Sequence, residues 1–232
     1  MATIRKAPHG KGHRYYVSGD ERVDPARPLA TVSQIAGYAG SRKGDGLLYW
    51  AVDQYIKTHQ RNGFDLSRSR SAAIGSELHQ QISEYIVEGE HPSTPSALFG
   101  AWYSSMHERG TEWLDSERMV YHPEMLYAGT LDAIGIVDGI VTLFDWKTTN
   151  GLDGKGNRKA LGEANHAAQI AGYRLALQAT QENPIPEQLV ICYIQRDTHE
   201  VAWRSVDVEK ATRLFLNCHA MYTSENEGGF YV

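Results

Sequence analysis

Residues 127–149 read YAGTLDAIGIVDGIVTLFDWKTT. Two alternating apolar runs flank Asp138-Gly139, a dipeptide that favours the two-residue type I′ hairpin turn. A turn that tight pairs Val137 with Ile140 and Ile136 with Val141. Continuing the count sets Asp132 opposite Asp145, with Lys147 two residues on and on the same face. Directly opposed side chains stand about 4.5–5.5 Å apart at Cβ, where like charges repel. A divalent cation is the natural counterweight. Asp with Asp-x-Lys around a metal is hydrolytic machinery, suited to phosphodiesters.

Beyond the hairpin, GLDGKGNRK at 151–159 is a basic, glycine-rich loop without the GxxxxGK[ST] pattern of a P-loop. Residues 160–181 read as a helix with Gln169 and Tyr173 on one face at i,i+4. Strands over 189–195 and 200–206 and a helix over 208–222 follow. Before the hairpin, Ile74, Leu78, Ile82, Tyr85 and Ile86 mark a helix over 71–87, with Gly75 and His79 on the border of its buried face. A helix over 95–113 and an alternating stretch at 117–121 come next. Residues 1–29 read as a proline-punctuated arm, and Thr31 or Ser33 caps a short helix through Tyr38. A second helix spans 46–60, and 61–70 reads as a loop. The order predicts an α/β sandwich with a mixed sheet covered on both faces, preceded by a helical lobe.

A chain of 232 residues suits one large domain or a compact core with an appended lobe. With 41% hydrophobic and 10% aromatic residues it can bury a core, which excludes wholesale disorder. Cys192 and Cys218 show no C-x-x-C spacing and read as buried thiols of a reducing compartment. No apolar leader or run of 18 apolar residues is present, so the expectation is a cytoplasmic protein of a bacterial cell or phage-infected host, with no membrane role. A net charge of −5 argues against coating duplex DNA by charge alone. It is compatible with an acidic metal site in a locally basic groove, and basic residues gather at 5–14, 61–70 and 155–159.

Mg²⁺ takes one or two carboxylates, here Asp132 and Asp145, and keeps sites for water and phosphate oxygens. Lys147 would stand beside the attacking water and balance charge in the transition state. His79, if it joins, adds the nitrogen character that Mn²⁺ accepts.

Taken together, GTLDAIG, DWKTT, Gln169-x-x-x-Tyr173 and Gly75-x-x-x-His79 make the sequence resemble the PD-(D/E)XK nuclease superfamily, in its RecB-type branch. The segments TVSQIAGYAG, LLYWAV and SERMVYHPEMLYAGTLD extend the resemblance to the group containing the mitochondrial genome-maintenance exonuclease and its phage and bacterial relatives. The resemblance implies a restriction-endonuclease-like αβββαβ core over 69–232, after an arm and helical lobe over 1–68. It implies His79, Asp132, Asp145 and the Trp146 carbonyl as metal ligands and Lys147 as the catalytic lysine. Gln169 and Tyr173 would support the site or touch substrate phosphate, Thr31 and Ser33 would contact DNA, and Glu117 matches an acidic position before G-T-x-D. Two cysteines cannot hold the iron–sulfur cluster found in many relatives, so Mg²⁺ or Mn²⁺ is the expected cofactor.

The function expected is a metal-dependent exonuclease acting on single-stranded DNA or DNA ends. Tyr38, Tyr49, Trp50 and Tyr55 are available to stack bases. The alternatives are an endonuclease or duplex-end resection nuclease of the same fold, or a non-catalytic recombination accessory protein. A polymerase, helicase or annealing protein is a conceivable partner.

Overall fold

The computed structural model describes residues 2–9, 12–40, 63–150 and 163–226. Strands β1 (Thr3–His9) and β2 (Gly12–Ser18) form a hairpin separate from the main sheet. A two-residue strand β3 (Ala30–Thr31) leads into the short helix α1 (Val32–Ala36). Helices α2 (Gly63–Glu88) and α3 (Ala97–His107) precede three consecutive strands, β4 (Glu112–His122), β5 (Tyr127–Val137) and β6 (Ile140–Thr149). Helix α4 (Glu163–Ala179), strands β7 (Gln188–Gln195) and β8 (Val201–Ser205), and helix α5 (Val208–Asn226) complete the order.

Asp138 and Gly139 have φ of 52° and 76°, the paired left-handed conformation of a type I′ turn. Val137 accordingly pairs with Ile140, and the register runs back to Ala133 opposite Phe144. There the recorded pairing of β5 with β6 stops. β4 holds one edge of β5 along its length, and β3 pairs with Tyr127 and Ala128. Since β4 already occupies the outer edge at Tyr127 and Ala128, β3 must sit on the β6 edge. Residues 129–132 are therefore left between β3 and β6, a notch in the sheet. β7 runs parallel to β6 and antiparallel to β8, so the sheet is mixed.

The two faces of the sheet carry two cores. Leu131, Ile134, Leu143 and Ile191 face α1, α4 and α5, packing on Val32, Ile35, Ala168 and Phe215. Phe144, Trp146, Cys192 and Ile194 face α2 and α3, packing on Leu78, Ile82, Phe99 and Trp102. The chain is thus mixed α/β, with a mixed sheet covered on both faces. A satellite cluster of Tyr15, Val17, Val23 and Leu29 seats the β1–β2 hairpin on Tyr121 and Ala128. Among the described residues no helix is long and apolar enough to cross a membrane.

Three segments differ from expectation. The arm over 1–29 contains a regular hairpin: Ile4 and Val17 pair and turn inward, an alternation that Arg5-Lys6 and three prolines conceal. Residues 63–70, read as a loop, are the first turns of α2; Ser and Arg cost a helix only tenths of a kcal/mol each. The helix expected over 95–113 ends at His107, and Trp113 instead lies on β4, packed between Trp102 and Phe144. Burial on the sheet outweighs helical periodicity there. The helix expected over 46–60, with Tyr49, Trp50 and Tyr55, and the basic loop over 151–159 lie outside the described residues.

Candidate metal centre

The notch is where the chemistry gathers. If the hairpin ladder continued its alternation, the Trp146 N–H would bond Leu131. Instead it donates to Asp132 Oδ2 at 2.7 Å, so the carboxylate replaces a backbone acceptor and holds the strand ends apart. Asp132 Oδ1 lies 3.5 Å from His79 Nδ1. His79 follows Leu78, whose buried side chain fixes α2 against the sheet. Its Nε2 stands 3.1 Å from the Trp146 carbonyl oxygen, which can only accept, so Nε2 carries the hydrogen. Nδ1 is thereby aimed at Asp132 and at Glu117 Oε1, 3.9 Å away.

Glu117 falls between the paired positions Ser116–Ala133 and Arg118–Leu131, opposite Asp132. Its φ is 50°, a left-handed conformation that costs a non-glycine residue about 1–2 kcal/mol. The Ser116 hydroxyl donates to the Asp132 carbonyl at 3.1 Å and helps pin the two strands across this kink. The strain turns a glutamate toward the site. Donor atoms of His79, Glu117 and Asp132 all lie within 4.8 Å of one another.

Asp145 stands beside this trio. Its side chain is 1% exposed, and Oδ2 lies 2.5 Å from Lys147 Nζ, close for an ion pair though outside good hydrogen-bond angles. Oδ1 meets no hydrogen-bond donor among the described residues. A buried carboxylate oxygen without a donor is costly and calls for an explanation. Lys147 keeps a fifth of its side chain exposed. It opens on a cleft of about 670 Å³ lined by Ser71, Gly75, His79, Glu117, Lys147 and Thr148 among others.

Burial opposes charge at every one of these groups, and the neighbours decide the outcome. At His79 burial pulls the pKa down, but the Asp132 charge and hydrogen bonds to Asp132 and Glu117 raise it to about 10. At Asp132 burial pushes up, yet His79, Lys147 and the Trp146 N–H hold it below the usual carboxylate range. At Asp145 burial and the Asp132 charge prevail over Lys147, and the pKa rises to about 6. Lys147 is penalised by burial but raised overall by Asp145 and Asp132. Two carboxylates are thus made to share a small volume, balanced by two cations.

The helix α4 covers the notch from the other side. Gln169 Nε2 donates to the Tyr173 hydroxyl at 2.9 Å and to Ser33 Oγ at 3.1 Å. Tyr173 has its phenol pKa raised well above normal, first by burial, then by the charges of Asp132 and Asp145. Thr31 is spent locally: its Oγ accepts the Gln34 N–H at 3.1 Å while the Gln34 side chain accepts the Thr31 N–H, a capping box for α1. The Trp146 carbonyl, expected as a ligand, accepts from His79 Nε2. The structure therefore brings His79, Asp132, Asp145, Lys147, Gln169 and Tyr173 around one notch, with Ser33 at its edge. Glu117 joins them through a backbone conformation that no sequence pattern announces.

Gly129 allows the approach of Tyr173. A Cβ there would meet Tyr173 Cε1 at 2.6 Å and Val32 Cγ2 at 3.1 Å, both in packed surroundings. Gly129→Ala is expected to destabilise by about 1–3 kcal/mol, read as a melting-temperature loss of roughly 2–12 °C. An unchanged melting temperature would show that the ring moves freely.

No protein-family model matches the chain, and no curated protein matches it significantly. Among solved structures the chain is similar to SSO0001, at 17% identity over 72% of this chain and 68% of that one. The TM-score is 0.35, too low to carry an argument about fold or function.

Proposed function

We propose that the chain is a metal-dependent DNA exonuclease with a PD-(D/E)XK core, hydrolysing phosphodiester bonds of single strands or strand ends. The observation that carries this reading is the convergence of His79, Glu117 and Asp132 donor atoms within 4.8 Å, beside the buried Asp145–Lys147 pair. The order α2, α3, β4–β6, α4 and β7, with β7 parallel to β6, is compatible with the αβββαβ core that the motif resemblance implies, and it supports the reading.

The residues fit a divalent ion. Bonds of about 2.0–2.2 Å from one ion bridge a trio of this span after small side-chain rotations, and Asp145 Oδ1 offers a further unclaimed acceptor. The carboxylate oxygens suit Mg²⁺ or Mn²⁺, and the added imidazole nitrogen favours Mn²⁺. Such an ion supplies Lewis-acid polarisation of phosphate and a lowered pKa for bound water. The protein's own groups do the rest. His79 is oriented by its bond to the Trp146 carbonyl, so that Nδ1 would be the atom to hold the ion. The Lys147 ammonium faces the cleft and stabilises charge growing on the phosphoryl oxygens. Gln169 and Tyr173 are bonded to each other on the α4 side of the notch.

The test compares linear with covalently closed circular single-stranded DNA, in Mg²⁺, in Mn²⁺ and in EDTA. Linear DNA is expected to be degraded only with metal, while circles stay intact. Cut circles would reassign the activity to an endonuclease. Protein inert on single-stranded, duplex and flapped DNA with either metal would overturn the proposal.

A further inference from the structure

The sequence before Asp20 contains no acidic residue, yet Arg5, Lys6, His9, His13 and Arg14 all occur there, in a chain of net charge −5. The β1–β2 hairpin organises this excess. At its base Ile4 pairs with Val17, and Val17 packs on Tyr121 and Ala128. One step further Lys6 pairs with Tyr15, and both reach Thr130: the Tyr15 hydroxyl at 2.9 Å and Lys6 Nζ at 3.5 Å from its Oγ. The hairpin therefore advances from Ala128 to Thr130, in the direction β5 takes toward Asp132. Thr130 is two residues short of Asp132, about 6.6 Å along the strand. Glu117 is near enough for its charge to bear on the Tyr15 phenol. The next pair, Pro8 with His13, carries the exposed His13 onward on the same heading.

Lys6 is exposed and has no carboxylate partner among the described residues, whereas Arg14, paired with Ala7, lies on the outer face with Arg5 and Tyr16. Arg5 lies over the Tyr16 ring at 4.6 Å, which stiffens the outer face. Unpaired cations beside hydroxyl donors are the ordinary recognition set for phosphate oxygens. The hairpin thus touches β5 two residues before Asp132, and α2 brings His79 to Asp132 itself.

We propose that the β1–β2 hairpin is the arm that grips the phosphodiester backbone of the DNA strand entering the metal centre, with Lys6, on the face that meets Thr130, holding a phosphate. This rests on the nuclease reading, but it is read out by binding rather than turnover. Fluorescence anisotropy in EDTA measures the affinity of the full-length chain for labelled single-stranded and duplex oligonucleotides across a salt series. Each lost phosphate contact flattens the slope of log K against log salt by about 0.7 on single strands and about 0.9 on duplex. The variant Lys6→Gln is therefore expected to flatten the single-strand slope by about 0.7, which at 0.1 M salt is an affinity loss of about 5-fold, while Arg14→Gln, on the outer face, leaves the slope as it is. Lys6→Arg is expected to keep the wild-type slope. Which probe shows the larger change identifies the strand form held. A Lys6→Gln variant that melts like wild type and keeps its slope on both probes overturns the proposal, as does a wild-type chain that binds neither. DNA binding that behaves as expected in a protein that never cleaves would overturn only the nuclease reading.

Discussion

Asp145→Asn is expected to abolish DNA hydrolysis while making the protein more stable in EDTA at neutral pH. The loss of activity follows from removing a charge in the metal centre and should reach at least about 10²–10³-fold. The gain in stability follows from burial. The Asp145 carboxylate is 1% exposed, one oxygen has no donor, and its pKa rises to about 6 from an ordinary 3.8. The folded protein then keeps a proton that the unfolded chain releases between those values. Stability from this group is complete below about pH 4 and is lost as pH climbs through 6. The deficit above pH 6 is about 3 kcal/mol, two pKa units at 1.36 kcal/mol each. Asparagine carries no charge and avoids it. Thermal melts in EDTA from pH 4 to 8 should show a gap between variant and wild type opening across pH 4–6, reaching roughly 6–12 °C. Added Mn²⁺ should narrow the gap by stabilising the wild type alone. A gap that does not change with pH, or a variant less stable than wild type at pH 7, would contradict this view of Asp145.

Lys147→Met separates catalysis from metal binding. Burial disfavours the ammonium, but Asp145 at 2.5 Å and Asp132 outweigh it, so the side chain is charged at neutral pH. On the proposed function its removal takes away the cation that would meet the scissile phosphate, and kcat should fall by about 10²–10³-fold. It also takes away a cation that repels the divalent ion. The Mn²⁺-induced rise in melting temperature should persist or grow in Lys147→Met, whereas Asp132→Ala should lose both the rise and the activity. In EDTA the methionine variant should be less stable than wild type, because two neighbouring carboxylates lose a counter-charge. Full activity in Lys147→Met would remove the lysine from the mechanism. Loss of the Mn²⁺ response would make it a structural partner of the ligands instead.

What the sequence made legible was chiefly local. Asp138-Gly139 demands positive φ at two successive positions, so the turn, and with it the β5–β6 register, could be counted outward. The burial face of α2 and the i,i+4 pair Gln169 and Tyr173 followed from helical spacing. What stayed hidden depends on contacts distant in sequence. Counting gave Asp132 opposite Asp145, but not that Asp132 would take the Trp146 N–H and part the strands there. The left-handed Glu117 is imposed by β4 pairing on both sides of it, and a glutamate carries no local preference for that conformation. The β1–β2 hairpin was masked by charge and proline because its alternation matters only once Tyr121 and Ala128 lie beneath it. Thr31, one of the two cap candidates that its position offered, caps α1 through its hydroxyl.

The claim on which everything else depends is that the notch between β3 and β6 holds one activating divalent ion. Anomalous diffraction from crystals grown with Mn²⁺ tests it most directly. The expected result is a single strong peak within bonding distance of His79 Nδ1 and Asp132 Oδ1, with Glu117 or Asp145 completing the protein ligands. Crystals that bind Mn²⁺ elsewhere, or that leave His79 hydrogen-bonded to Asp132 at saturating metal, would contradict it.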